Sequence, residues 1–212
     1  MYLSQILLIE RDYGVVNNTK LSERLRVSKS AVTQSVKRLI KLELLKQDRY
    51  GVIKLTESGR VIASQVIKRH YLIEHLLVDV LDYPWEKADV EAMLLQRVVS
   101  QDLTDFLCEK FDHPDTCPHG NPFPGSSKEY EFLHAPRLDK ISKDTAVTLV
   151  RITEEGEDHD GLLAFCNANE LRPGRVLLVD EITADSVVVV STDQQQTIAI
   201  PKVYAHFLCV NI

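Results

Sequence analysis

Two residue types that bind metals stand four positions apart near the middle of the chain. His70 and Glu74 lie in the stretch KRHYLIEHLL, and on a helix a separation of four places both side chains on one face. An imidazole nitrogen and a carboxylate oxygen at that spacing can share one cation. The same spacing is more often a solvated surface pair, so the residues alone leave both interpretations open.

A second group of cysteines and histidines follows at the spacing C-x4-H-x3-C-x-H. This is not a zinc-finger spacing, and the last three of its four residues lie in a stretch, residues 111–127, with four prolines and two glycines. Such a composition is typical of an irregular connector. We interpret its role as primarily structural, with a metal or redox role as the alternative. The four residues are Cys108, His113, Cys117 and His119.

Short polar and basic side chains are concentrated between residues 28 and 49. A helix with short polar side chains near its N-terminus can enter the major groove and contact base edges. Basic residues farther along can neutralise phosphates. The alternative is a winged helix that binds protein, with its serines acting only as caps. The predicted DNA contacts are Ser28, Lys29, Ser30, Thr33, Gln34, Lys37, Arg38, Lys41 and Arg49.

Charge is divided unevenly along the 212 residues. The overall charge is −6, but residues 1–69 carry 14 basic against 6 acidic side chains, whereas residues 70–212 carry 11 against 25. A basic head on an acidic body suggests that only the head contacts a polyanion. No apolar run approaches the ~20 residues that a membrane-spanning helix needs.

The elements that must position these residues follow from periodicity and capping signals. Helices are predicted from Tyr2 to Arg11, from Lys20 to Leu25 and from Ser28 to about Leu44, followed by a hairpin over 44–56. This order is typical of a winged helix-turn-helix. Further predicted helices are 56–81, 85–100, 101–111 and 160–167. Predicted strands at 147–152, 175–179, 186–191, 197–200 and 208–212 indicate a small SH3-like barrel.

Six stretches of the chain carry a family resemblance: MYLSQILLIE, VSKSAVTQSVKRL, LTESGR, KRHYLIEHLL, CPHGNPFPG and LRPGRVLLVDE. Through them the chain resembles the diphtheria-toxin-repressor and manganese-transport-regulator family of metal-dependent repressors. The resemblance implies a homodimer that binds a palindromic DNA operator when Mn(II) or Fe(II) is bound. It also implies three domains: a winged helix-turn-helix (1–65), a helical metal-binding and dimerisation domain (66–135) and an SH3-like, iron-transport-A-like barrel (136–212).

The resemblance assigns a metal site to the pair described first, His70 and Glu74. His70 and Glu74 match ligands of the family's ancillary site, and Asp89 falls where another ligand, usually a histidine, stands. Mn(II) and Fe(II) tolerate a carboxylate there. His159 or its acidic neighbours lie where some members contribute a glutamate from the barrel. The alternatives are a helix N-terminal acid for Asp89 and a solvated loop residue for His159.

The family's primary metal site is where the sequence departs. Its members place Cys or Glu, then Glu, then His at the positions of Met93, Gln96 and Arg97; Met1 matches a further ligand. The new set carries no negative charge, and a guanidinium cannot be deprotonated to bind metal. The site is therefore lost, or weakly remodelled around the Gln96 amide, or replaced by Arg97 in a protein that needs no metal.

These observations predict a dimeric, metal-dependent transcriptional repressor that controls metal homeostasis genes, with metal-independent and redox regulators as alternatives. An interaction module without DNA binding is also open. No phosphate-binding loop, nucleophile elbow or HExxH motif indicates an enzyme. Four scattered cysteines and an N-terminus without a basic leader predict a cytoplasmic protein that has no membrane partner.

Overall fold

The chain forms two units, Met1–Arg69 and His70–Ile212. The structure is a computed structural model that describes residues 1–193 and 195–212. None of the helices in these two ranges is both long and apolar enough to cross a membrane.

The first unit has the predicted order of helix, helix, turn, helix and hairpin. The antiparallel strands pair Leu45 with Leu55 and Gln47 with Ile53. Its elements are α1 (Tyr2–Tyr13), α2 (Asn18–Leu25), α3 (Lys29–Lys41), β1 (Leu45–Gln47), β2 (Ile53–Leu55) and the start of α4 (Glu57–His75), which continues into the second unit.

Side-chain caps fix the start of α3, and a left-handed residue fixes its end. Ser28 Oγ accepts a hydrogen bond from the Ala31 amide, the arrangement of an N-cap. The prediction that α3 reaches Leu44 is wrong. Glu43 adopts φ 58°, and the Leu44 amide donates to the Leu39 carbonyl. This is a Schellman motif, which ends a helix and turns the chain toward the wing.

In the second unit, the helices are shorter than predicted. The predicted helix over 85–100 is instead a 3₁₀ turn (Trp85–Lys87) followed by α5 (Ala88–Leu95). Helix α5 ends at Leu95, and Ser100 caps a new helix by accepting a hydrogen bond from the Leu103 amide. Helix α4 passes into a π-helical turn, Leu76–Val80. The other helices are α6 (Gln101–Lys110), α7 (Glu129–His134), α8 (Glu154–Glu157), α9 (Leu162–Ala168) and α10 (Lys202–Ala205).

Five antiparallel strands form the SH3-like domain, in the spatial order β6-β5-β4-β3-β7. Alternate residues of β5 are buried, which is the pattern of a sheet with one face on a core. The fold class, mostly helical with a winged helix and a small β barrel, is therefore confirmed. The strands are β3 (Ala146–Ile152), β4 (Val176–Ile182), β5 (Ser186–Ser191), β6 (Thr197–Pro201) and β7 (Leu208–Asn211).

The connector after α6 lies directly against β3. The Ile152 amide donates to the His119 carbonyl at 2.9 Å. Gly120 has φ +88°, and a Cβ there would stand 2.1 Å from the Val150 carbonyl oxygen. Only a glycine permits this approach, which brings the CPHGN stretch beside the start of the barrel domain.

Candidate metal centre

Three of the predicted ligands converge in the interior of the second unit. His70 Nε2 lies 2.8 Å from Glu74 Oε1 and 3.1 Å from Asp89 Oδ1. Glu74 is fully buried, and the other two side chains are nearly so. His70 and Glu74 are one turn apart on α4, and Asp89 reaches them from the first turn of α5. A solvated surface pair, the alternative for His70 and Glu74, does not describe these positions.

Two residues of the connector complete the group on the other side of Glu74. His119 Nδ1 lies 3.3 Å from Glu74 Oε2, and the ligand atoms of Glu74, Cys117 and His119 all lie within 4.8 Å of one another. We call His70, Glu74, Asp89, Cys117 and His119 the Glu74 cluster. The sequence offered only the Cys-Pro-His spacing as a signal, because the approach depends on the tertiary contact at Gly120.

The barrel domain contributes carboxylates through α8. Tyr71 donates a short hydrogen bond to Glu154, and Asn121 donates one to Glu157. Glu157 Oε2 lies 3.7 Å from His119 Nδ1. Sequence reasoning missed both glutamates, although it pointed to the same loop.

His159 is not brought to the Glu74 cluster. Its ring packs against the rings of Tyr204 and Phe207, with centroids 5.5 Å and 5.2 Å away. Its acidic neighbours Asp158 and Asp160 are not among the ligand groups that converge on Glu74 in the described part of the chain.

The imidazoles and carboxylates of the cluster shift one another's pKa values because they carry opposite charges. Burial alone would lower the pKa of His70, but Glu74 and Asp89 outweigh it and hold the pKa well above its ordinary value. Burial and Glu74 act on His119 in the same way, and its pKa is also raised. Burial would raise the pKa of Glu74, yet the charges of His119 and His70 lower it strongly. Burial, together with Glu74, raises the pKa of the Cys117 thiol.

Several donor atoms of the cluster are poised for a cation. Beside the cluster, Glu157 Oε2 is buried without a hydrogen-bond partner among the described residues, a costly arrangement for a carboxylate. His119 Nε2 lies 3.1 Å from the Trp85 carbonyl oxygen. When Nε2 carries the proton and donates it there, the neutral ring presents its Nδ1 lone pair to Glu74, an orientation common among metal-bound histidines. The residues therefore fit a divalent cation.

We predict opposite pH dependences for metal affinity and metal-free stability. The stability gained by pairing His70 and His119 with Glu74 is present below the ordinary histidine pKa of 6.5. It is lost as the pH rises through their raised values. Metal binding requires neutral imidazoles, so metal affinity should rise over the same range, by about tenfold per pH unit for each proton displaced.

The lowered pKa of Glu74 sets the acid limit of the pH range in which its pairing stabilises the metal-free protein. The stability that its pairing contributes is lost as the pH falls below its ordinary value of 4.5. Chelator-competition titrations and denaturant unfolding across this range test the prediction. A metal affinity that is independent of pH would show that the imidazoles are already neutral in the metal-free protein.

The positions of the family's primary site offer no anionic donor. Gln96 Nε2 donates to the Met93 carbonyl at 3.2 Å and lies 3.0 Å from its sulfur. Arg97 is exposed. A thioether, an amide and a guanidinium do not fit a divalent cation in the way that carboxylate and imidazole do, and no function is assigned to them through a metal.

The predicted DNA contacts lie on α3, on its N-terminal cap and at the wing, and most are exposed. Thr33 is the exception, since its hydroxyl donates to the Lys29 carbonyl and accepts from Asn18 Nδ2. Arg49 stacks on Tyr50 at the wing tip, 4.7 Å from the ring centroid. The exposed residues are Ser28, Lys29, Ser30, Gln34, Lys37, Arg38, Lys41 and Arg49.

Comparison with known families agrees with this arrangement. Residues 1–53 match the N-terminal DNA binding domain of the iron dependent repressors, and residues 56–125 match their metal binding and dimerisation domain. The chain belongs to the iron-dependent repressor family. The iron-dependent repressor IdeR of Mycobacterium tuberculosis is 30% identical to it, over 97% of this chain and 93% of the relative.

Other relatives also match this chain over nearly its whole length. The diphtheria toxin repressor of Corynebacterium jeikeium is 29% identical over 97% of this chain and 93% of the relative. A manganese-dependent transcriptional repressor solved in complex with manganese has a TM-score of 0.86 and 26% identity, covering 99% of this chain and 97% of that one.

Membership makes the protein a transcriptional repressor with a DNA-binding domain and a metal-binding and dimerisation domain. The prediction of a metal-dependent repressor is thus confirmed. The alternative of a regulator that has lost its metal dependence is not favoured, because the region holding the Glu74 cluster matches a metal-binding domain. The relatives named above are repressors and not enzymes.

Proposed function

We propose that the protein represses transcription when Mn(II) or Fe(II) binds at His70, Glu74 and Asp89. The observation that carries this proposal is the convergence of one imidazole and two carboxylates, all buried, on one point of the second unit. Such nitrogen and oxygen donors suit Mn(II) and Fe(II). The names of the relatives above state a dependence on the same two metals, iron for one and manganese for another.

Two of the metal ligands lie on a helix that begins in the winged-helix unit, so metal binding can affect the DNA-binding domain. His70 and Glu74 stand near the end of α4, and the first residues of this helix belong to the winged-helix unit. A bound cation supplies positive charge that replaces the protons shared by these donors. The side chains then hold the end of α4 in one arrangement, and the equilibrium shifts toward the form that binds DNA.

Operator binding should be tested on chelator-stripped protein with DNA from the region upstream of its own gene. We expect fluorescence anisotropy to show a gain in affinity of about tenfold or more with Mn(II) or Fe(II), the latter under argon, at fixed salt. Equally tight binding without any metal would overturn the proposal. Separate titrations of the two ions identify the activating metal.

We propose that the operator is a palindrome read by the exposed face of α3. We expect Gln34→Ala to weaken operator binding by about 1–3 kcal/mol while leaving binding to scrambled DNA unchanged, because base contacts carry specificity. Lys37→Ala should weaken binding to both DNAs because a phosphate contact is lost. It should also reduce the slope of log affinity against log salt concentration by about 1.

Anisotropy titrations on both DNAs over a series of salt concentrations make this comparison. Lys140→Ala removes an exposed lysine of the second unit and should change neither binding nor slope. If Gln34→Ala weakens both DNAs equally, Gln34 does not read bases.

We propose that apolar residues of α5, α6 and the segment between them form the homodimer interface. They are exposed in the single chain, and an interface is the simplest way to remove them from water. We expect Phe106→Glu to shift sedimentation toward the monomer, whereas Tyr130→Glu, which alters an exposed aromatic on α7, should not. A stable Phe106→Glu dimer would contradict the assignment. The residues are Val90, Leu94, Val98, Leu103 and Phe106.

The three-domain division and the site of action complete the proposal. We propose a winged helix at 1–65, a metal-binding and dimerisation domain at 66–135 and an SH3-like domain at 136–212. The last contributes α8 beside the Glu74 cluster. We also propose that the protein acts in the cytoplasm, where it binds operator DNA, and that it controls metal homeostasis genes.

A further inference from the structure

The two oxygens of Glu74 face different donors. Oε1 lies 2.8 Å from His70 Nε2, whereas Oε2 lies 3.3 Å from His119 Nδ1. The donors divide into two triads that share Glu74 alone: His70 and Asp89 on one side, Cys117 and His119 on the other. A carboxylate with an oxygen toward each triad has the arrangement of a bridging ligand.

The side of Cys117 and His119 has its own features of a metal site. His119 Nε2 is engaged by the Trp85 carbonyl oxygen at 3.1 Å, which leaves Nδ1 to face the donors. Glu157 Oε2 lies 3.7 Å from that nitrogen and has no hydrogen-bond partner among the described residues. The Glu157 side chain is buried, with only 2% of its surface exposed. A buried carboxylate oxygen in that position needs a donor or a cation.

The charge of the buried donors is balanced by two divalent cations. When metal binding displaces the protons of Glu157 and of the Cys117 thiol, the donors Glu74, Asp89, Glu157 and Cys117 carry four negative charges. Two dications neutralise these four charges, so that none is left uncompensated in the interior.

We propose that the Glu74 cluster binds two divalent cations bridged by the Glu74 carboxylate. The first is the cation of the proposed function, on which this inference rests, at His70 and Asp89. The second is held by Cys117, His119 and Glu157. Its thiolate and imidazole donors favour borderline ions such as Zn(II), Co(II) or Fe(II) over Mn(II). Carboxylate-bridged ions in two-metal sites lie roughly 3.5–4 Å apart.

The test is the metal content of the full chain after stripping with chelator, loading with Co(II) and dialysis. We expect two ions per chain and a thiolate-to-cobalt charge-transfer band. Cys117→Ser should retain one ion and lose the band, and Asp89→Asn should retain one ion and keep it. Cys108→Ser, which changes a thiol 3.1 Å from His113 and outside the cluster, should retain both ions. Circular dichroism checks that each variant is folded.

One ion per wild-type chain would overturn the second site. So would two ions per chain without the charge-transfer band, because Cys117 would then not be a ligand. Operator binding measured on the same samples separates this failure from that of the proposed function. One ion with metal-stimulated DNA binding overturns the two-ion site alone, whereas retained ions without stimulation overturn the proposed function alone.

Discussion

Replacing Glu74 by glutamine is expected to abolish metal-stimulated operator binding. Both carboxylate oxygens face imidazole nitrogens of the cluster, so the substitution removes the one ligand common to both triads and a negative charge from a fully buried position. Loss of a supporting contact typically costs about 10–100-fold in metal affinity. Loss of this direct ligand should therefore raise the metal concentration needed for DNA binding by more than about 100-fold.

The amide of Glu74→Gln keeps the size of the side chain, so the fold should survive. Without the carboxylate, the pKa values of His70 and His119 should fall, and the imidazoles become neutral instead of remaining as unpaired buried charges. Asp82→Asn is the matched control. Asp82 is an exposed carboxylate at φ 50°, a conformation that asparagine tolerates. Anisotropy titrations with Mn(II) compare the two variants, and an unchanged response of Glu74→Gln would exclude the cluster as the sensing site.

Local signals in the sequence predicted most of the secondary structure. Asn17 and Ser28 cap α2 and α3 because an Asn or Ser side chain can accept a hydrogen bond from the next turn. The four consecutive valines at 187–190 predicted β5 because β-branched residues favour strands, and alternate residues of this strand are buried. The end of α3 was missed because it depends on Glu43 in a left-handed conformation, which glutamate adopts only rarely.

The candidate site was predictable only in part. His70 and Glu74 are one helical turn apart, so their proximity follows from spacing alone. The approach of Cys117 and His119 requires the connector to lie against β3, and the roles of Glu154 and Glu157 require α8 to pack beside it. Contacts between segments so far apart in the sequence leave no periodicity that one chain reveals.

Gly120→Ala is expected to displace the connector and damage the cluster. The new Cβ would lie 2.1 Å from the Val150 carbonyl oxygen and 2.7 Å from Arg151 Cα. Both are backbone atoms, so no side chain can rotate away. Adding the strain of φ +88° to the cost of overpacking gives a loss of about 3 kcal/mol or more in the free energy of unfolding. Metal affinity should fall as well, because His119 and Asn121 flank the glycine.

Gly125→Ala separates the clash from the backbone strain. Gly125 has φ +83°, but a Cβ there would have no atom of the described residues within 4 Å, so alanine should cost only about 1–2 kcal/mol. The unfolding of both variants can be followed by the fluorescence of Trp85, the only tryptophan, whose ring centroid lies 4.5 Å from that of His119. If both substitutions cost the same and leave metal affinity unchanged, the contact between Gly120 and β3 does not position the cluster. A larger loss at Gly120 in both measurements would show that the barrel domain holds the metal ligands in place through this contact.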